Sequence, residues 1–83
     1  MKILYFARIR QAVGRGSDDI DIPASVDTVS ALMDYLAAHD DGIAAAFSDR
    51  RTVKAAVNQS HVPLDAPLTG AREVAFFPPV TGG

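Results

Sequence analysis

The chain predicts an α+β domain: a mixed sheet with one main helix packed across one face. Three observations carry that expectation. The first and last apolar runs, residues 2–7 and 73–77, hold the β-formers Ile3, Tyr5, Phe6, Val74, Phe76 and Phe77. Between them, Val29, Leu32, Met33 and Leu36 recur at helical spacing and make one apolar stripe. At 83 residues and 48% apolar content, the chain can bury one core and not two.

The elements follow in order. Residues 2–7 form a first strand, and residues 8–13 a helical turn stopped by Gly14 and Gly16. Residues 17–22 form a second strand that meets Pro23; its polarity puts it on an edge, and the moderate loop before it suits an antiparallel pair. Thr28 caps the main helix, with Asp27 as the competing cap. Gly42 ends or interrupts that helix, and residues 43–47 form a second short one. Residues 55–58 make a third strand, Asn58-Gln59-Ser60 a turn, and His61-Val62 a short return strand. Pro63, Pro67 and Gly70 mark loops before the last strand, Glu73–Phe77, which Pro78-Pro79 ends because neither proline can donate to a ladder. The first and last strands carry the strongest apolar signal, so both are expected at the sheet centre. As neighbours they would run parallel, with the helix in the crossover. The folded domain is read as residues 1–77 and an extended tail as residues 78–83.

Strand alternation then divides the side chains between two faces. With Ile3, Tyr5, Val74 and Phe76 under the helix, Phe6 and Phe77 fall on the open face. An aromatic patch there marks a partner interface. Arg8 and Arg10 flank it, as surface charges or as partner contacts, and the nearness of Phe6 favours contacts.

No side chain from Val74 to Gly83 is charged. The six residues after Phe77 reach roughly 20 Å when extended, at about 3.3 Å each. Pro78-Pro79 stiffens the start of this tail, and Val80-Thr81 leads to Gly82-Gly83, whose missing side chains keep the end thin. Such a tip passes a channel that would reject a Cβ. The terminal carboxylate of Gly83 is then the reactive group. It is a poor electrophile until activated, for example as an acyl-adenylate. The chain has no phosphate-binding loop, so activation belongs to a separate enzyme.

Other chemistry is excluded or weak. The net charge of −2 and scattered basic residues argue against nucleic acid. There is no cysteine, hence no disulfide, thiolate metal site or thiol nucleophile. His39 and His61 lack ligand spacing, and Asp18-Asp19-Asp21 and Asp40-Asp41 read as solvated turns and edges. No serine carries a nucleophile motif. The N-terminal apolar run is too short for a signal peptide or a membrane span, so a cytoplasmic protein is expected.

The chain resembles the small subunits of molybdopterin synthase, sulfur carriers with a ubiquitin-like β-grasp fold. Residues 4–10 with Gly14, residues 55–59, and Pro67-Leu68 through residues 73–83 carry the likeness, above all the terminal run from Phe76 to Gly83. Residues 40–52 add nothing to it. The resemblance implies that an adenylating enzyme uses ATP on the Gly83 carboxylate and that a sulfur donor leaves a thiocarboxylate. The tail would enter the large synthase subunit, in a heterotetramer, and give its sulfur to cyclic pyranopterin monophosphate. It implies no cofactor bound by this chain and no catalysis by this chain alone. It also places Phe6 and Phe77 at the interface, with His61 at a third contact that is usually apolar. An uncharged tail is cheap to bury apart from its terminal charge, so the partner is expected to hold a basic cluster at the channel's end. Sulfur delivery to thiamine synthesis, or conjugation to other proteins as a ubiquitin-like modifier, are the alternatives.

Overall fold

The computed structural model describes residues 1–79; the expectations for Val80, Thr81, Gly82 and Gly83 lie outside the described residues. The elements run β1 (Lys2–Tyr5), α1 (Ala7–Val13), β2 (Ser17–Asp19), α2 (Val29–His39), α3 (Asp41–Ala46), a 3-10 turn (Arg50–Thr52), β3 (Lys54–Val57), β4 (Ser60–Val62) and β5 (Glu73–Phe77). The five strands form one sheet in the order β2-β1-β5-β3-β4. β1 and β5 are the central parallel pair, with Ile3 opposite Val74, and every other pairing is antiparallel. The mixed sheet and its central pair are as the apolar runs predict.

Local chemistry sets the element ends. The Thr28 hydroxyl accepts from the Ala31 N–H at 3.1 Å, which decides the cap of α2 in its favour over Asp27. Gly14 takes φ +87 and its N–H closes α1 on the Arg10 carbonyl at 2.9 Å. Asn58 and Gln59, at φ +49 and +71, turn β3 into β4 as a two-residue hairpin. β2 is shorter than residues 17–22 because its partner runs out: Lys2 faces Asp19, and the Ile20 N–H already reaches the Met1 carbonyl.

Three expectations are corrected. β1 ends at Tyr5 rather than at residue 7, because Ala7 swings to φ +51 and opens α1. Ala7 is therefore exposed and does not share the inner face with Ile3 and Tyr5. The break after α2 is made by Asp40 and not by Gly42; the Asp40 carboxylate accepts from the Ile43 N–H at 3.0 Å and caps α3. Gly42 lies inside α3 for a tertiary reason: a Cβ there would sit 2.8 Å from the Ala12 carbonyl of α1. α2 is the one main helix expected, and the helical turn and the second short helix read from residues 8–13 and 43–47 are α1 and α3.

The core lies between these helices and the inner sheet face. Ile3, Tyr5, Val74 and Phe76 meet Ile9 of α1, Leu32 and Met33 of α2, and Ile43 of α3, all at most 2% exposed. The Phe47 and Phe76 rings pack at 4.8 Å between centroids. Each such fully buried side chain contributes about 1.5–3 kcal/mol.

Candidate functional site

Among the described residues, no helix packs on the other face of the sheet. Leu4, Phe6, Ala56, Gln59, His61, Glu73, Ala75 and Phe77 line a shallow, mainly apolar concavity of about 540 Å³. Phe6 is the one exposed large apolar side chain among the described residues, at 46%. Its backbone is fixed on both sides. The Phe6 N–H extends the central ladder to the Phe76 carbonyl at 3.1 Å, and its carbonyl accepts from Ile9 and Arg10 at the start of α1. A strand-to-helix joint therefore holds the ring out where a partner can reach it. The unusual φ of Ala7 makes that joint tight.

Phe77 and His61 meet across this face, their rings 5.0 Å apart. His61 sits opposite Ala56, which sits opposite Ala75, so the register sets all three side by side. The hairpin carrying His61 is locked to the start of β5 by Asn58. Its side-chain oxygen accepts from the Arg72 and Glu73 N–H groups at 2.8 and 3.1 Å, and its amide donates to the Gly70 carbonyl at 3.1 Å. Nothing in the spacing of residues 55–59 discloses this clasp, because its partners lie 12 to 15 positions away.

A polar network ties the edge of the sheet to the helices. The Tyr5 hydroxyl donates to Asp18 at 2.8 Å, and Arg15 makes a two-point contact with the same carboxylate at 2.7 and 2.7 Å. Arg15 also reaches Asp40 at 3.0 Å. Arg15, helped by the Tyr5 hydroxyl, holds the Asp18 carboxyl below the usual carboxylate range. Burial, reinforced by Asp18, pushes the Tyr5 phenol far above its ordinary value. The Ile43 N–H and then Arg15 lower Asp40. Asp18 and Asp40 thus pair and cap rather than face water alone, which corrects their reading as solvated residues.

The structure brings Phe6, Phe77 and His61 together around one concavity and leaves Arg10 off its lining. Arg10 stands exposed on α1, where its guanidinium closes over Gly16. Arg8 donates to the Thr52 carbonyl at 2.6 Å. His39, at the end of α2, is not among the lining residues, and its Nδ1 lies 2.7 Å from the Tyr35 carbonyl. Pro78 and Pro79 are half-buried where they leave β5, and the rest of the tail lies outside the described residues. Among the described residues there is no cluster able to hold a metal ion, and no helix is long and apolar enough to cross a membrane.

Comparison with known proteins places this geometry. The ThiS family matches residues 3–83. The chain is 48% identical over 83 residues to the molybdopterin synthase sulfur carrier subunit of Escherichia coli K12, covering all of this chain and 99% of that protein. It is 35% identical over 83 residues to the Haemophilus influenzae protein of the same name, again covering 99% of it. Among solved structures, SAMP1 from Haloferax volcanii superposes with a TM-score of 0.70 over 99% of this chain and 97% of that one. At 23% identity that likeness speaks for the fold, a ubiquitin-like β-grasp.

Proposed function

The chain belongs to the ThiS family, beside the molybdopterin synthase sulfur carrier subunits, and from that premise we propose that it carries sulfur for molybdenum cofactor biosynthesis. The working atoms are those of the Gly83 carboxylate. An adenylating enzyme joins this carboxylate to AMP at the expense of ATP, and a sulfur donor displaces the AMP to leave a thiocarboxylate. The tail then enters the large subunit of molybdopterin synthase, where its sulfur passes to cyclic pyranopterin monophosphate. Two deliveries supply the two sulfurs of the dithiolene. This chain is the carrier in that sequence, and the enzymes are its partners.

One observation carries the reading: an open, aromatic-lined sheet face ends at the root of an uncharged tail that finishes in Gly-Gly. Phe6 and Phe77 dock the body, the two prolines set the reach, and Gly82 and Gly83 keep the tip thin. A thiocarboxylate also gives a cysteine-free chain a nucleophilic sulfur.

The test is reconstitution of synthase with the chain shortened by Gly83. Because Gly83 is a terminal residue with no side chain to bury, the shortened chain should melt as the full chain does. Sulfur transfer to the pterin should fall to background. A shortened chain that still supports pterin conversion would overturn the assignment, and lysine-linked conjugates of Gly83 in extracts would replace it with protein modification.

A further inference from the structure

Where the tail leaves the sheet, a cation with no ion pair among the described residues stands on each side of it. β5 ends at Phe77, whose partner across the ladder is Lys54 of β3. Residues paired this way point to the same face, so Lys54 stands beside Phe77 on the open side. It is exposed, and no carboxylate among the described residues lies within ion-pair distance of it. The bond from the Phe6 N–H to the Phe76 carbonyl brings the start of α1 to the same end of the sheet. There Arg8 is exposed, and its guanidinium is held by the Thr52 carbonyl, two residues before Lys54. A carbonyl orients that charge, and Arg8 makes no ion pair among the described residues, although the Asp49 carboxylate, held by Arg51, lies near enough to feel its charge.

Of the neighbouring cations, Arg10 of α1 likewise has no ion pair among the described residues, but it lies over Gly16, and those of the 3-10 turn differ. Arg50 is matched by Asp34, and Arg51 by Asp49 at 3.0 Å. At the far end of the open face, Lys2 lies opposite Glu73 on one side and Asp19 on the other. Two positive charges with no ion pair among the described residues, at the tail root of a chain with net charge −2, are thus a local reversal of sign.

We propose that Arg8 and Lys54 form a cationic rim that seats against carboxylates around the mouth of the partner channel that receives the tail. This rests on the carrier reading above. The partner then carries charges of opposite sign at two depths: acidic at the mouth and basic at the end, where the Gly83 carboxylate arrives. Six residues in extended form would separate them by roughly 20 Å, beyond a Debye length of about 8 Å in physiological salt. The two contacts therefore act independently, and together they fix how deep the tail goes. Exposed pairs of this kind add little affinity each, and they act mainly on encounter rate and salt dependence.

The experiment titrates the large synthase subunit of the same source with the full chain, Lys54→Glu, Arg8→Glu, Phe6→Ala, and a chain lacking Gly82-Gly83. At low salt, each charge reversal should weaken association about five- to tenfold, mostly through slower binding. In about 0.5 M salt the loss should shrink to about twofold or less. Melting of Lys54→Glu should be unchanged, since that side chain makes no hydrogen bond or ion pair among the described residues, so any instability of Arg8→Glu is separable. Recovery of Lys54→Glu binding by a Lys placed at a mouth carboxylate would support the pairing directly. If both reversals bind as the full chain does, while Phe6→Ala and the shortened chain bind worse, the rim is wrong and the carrier reading stands. If neither Phe6→Ala nor shortening changes binding, both fall.

Discussion

Ile3 and Tyr5 of β1, with Val74 and Phe76 of β5, are sealed beneath three helices, whereas Leu4, Ala75 and Phe77, one residue along the same strands, line an open concavity. The backbone that builds the two faces is shared; what covers them is not. Burial on the inner face is completed within the chain, so its side chains set stability. On the outer face it is left open among the described residues, and under the function proposed above another molecule would complete it, so those side chains are expected to set association. The tail leaves from the strand that serves both, which makes a rigid platform the means of delivering a thin end.

Four substitutions break or sharpen this contrast. The largest effect is expected inside: Phe76→Ala should destabilise the fold by about 3–5 kcal/mol in denaturant titration, because it leaves a cavity against Phe47. Next is Phe77→Asp outside, which should weaken partner binding by about 2 kcal/mol or more in calorimetry and change stability far less. A Phe77→Asp chain that unfolds instead would place Phe77 with the core.

Asp18→Asn comes third, at about 1–2 kcal/mol of stability, since it breaks the two-point contact with Arg15 and weakens that with Tyr5. The sign with pH follows from the lowered Asp18 carboxyl. Its stabilising effect is fully present above the ordinary value of 3.8 and is lost as pH falls through the depressed folded value. The substitution should therefore lower stability at neutral pH and flatten the acid limb of the melting curve. The smallest effect on folding is Phe6→Ala, within about 0.5 kcal/mol by thermal melting, because the ring is exposed. Its cost should show in partner affinity instead.

The same contrast explains what was legible in the sequence. Alternation in residues 2–7 and 73–77 predicts the open face, and the Val29-Leu32-Met33-Leu36 stripe predicts α2, because both patterns are local and periodic. The end of β1 at Tyr5 is not legible, since neither Phe6 nor Ala7 is a residue that signals a turn. Gly42 reads as a helix stop, but its reason is the approach of α1, a contact that residue order hides. Asp40 reads as a solvated acid because Arg15, its partner, lies on a distant loop. At the site, Phe6 and Phe77 emerge from alternation, while the packing of His61 on Phe77 needs the β3–β4 register to be known.

The most direct measurement is the intact mass of the chain after incubation with the activating enzyme, ATP and a sulfur donor. Exchange of one carboxylate oxygen of Gly83 for sulfur should raise it by about 16 Da, with the change confined to the C-terminal peptide and absent without ATP. An unchanged mass with all three components active, or a gain at any other residue, would contradict the carrier assignment.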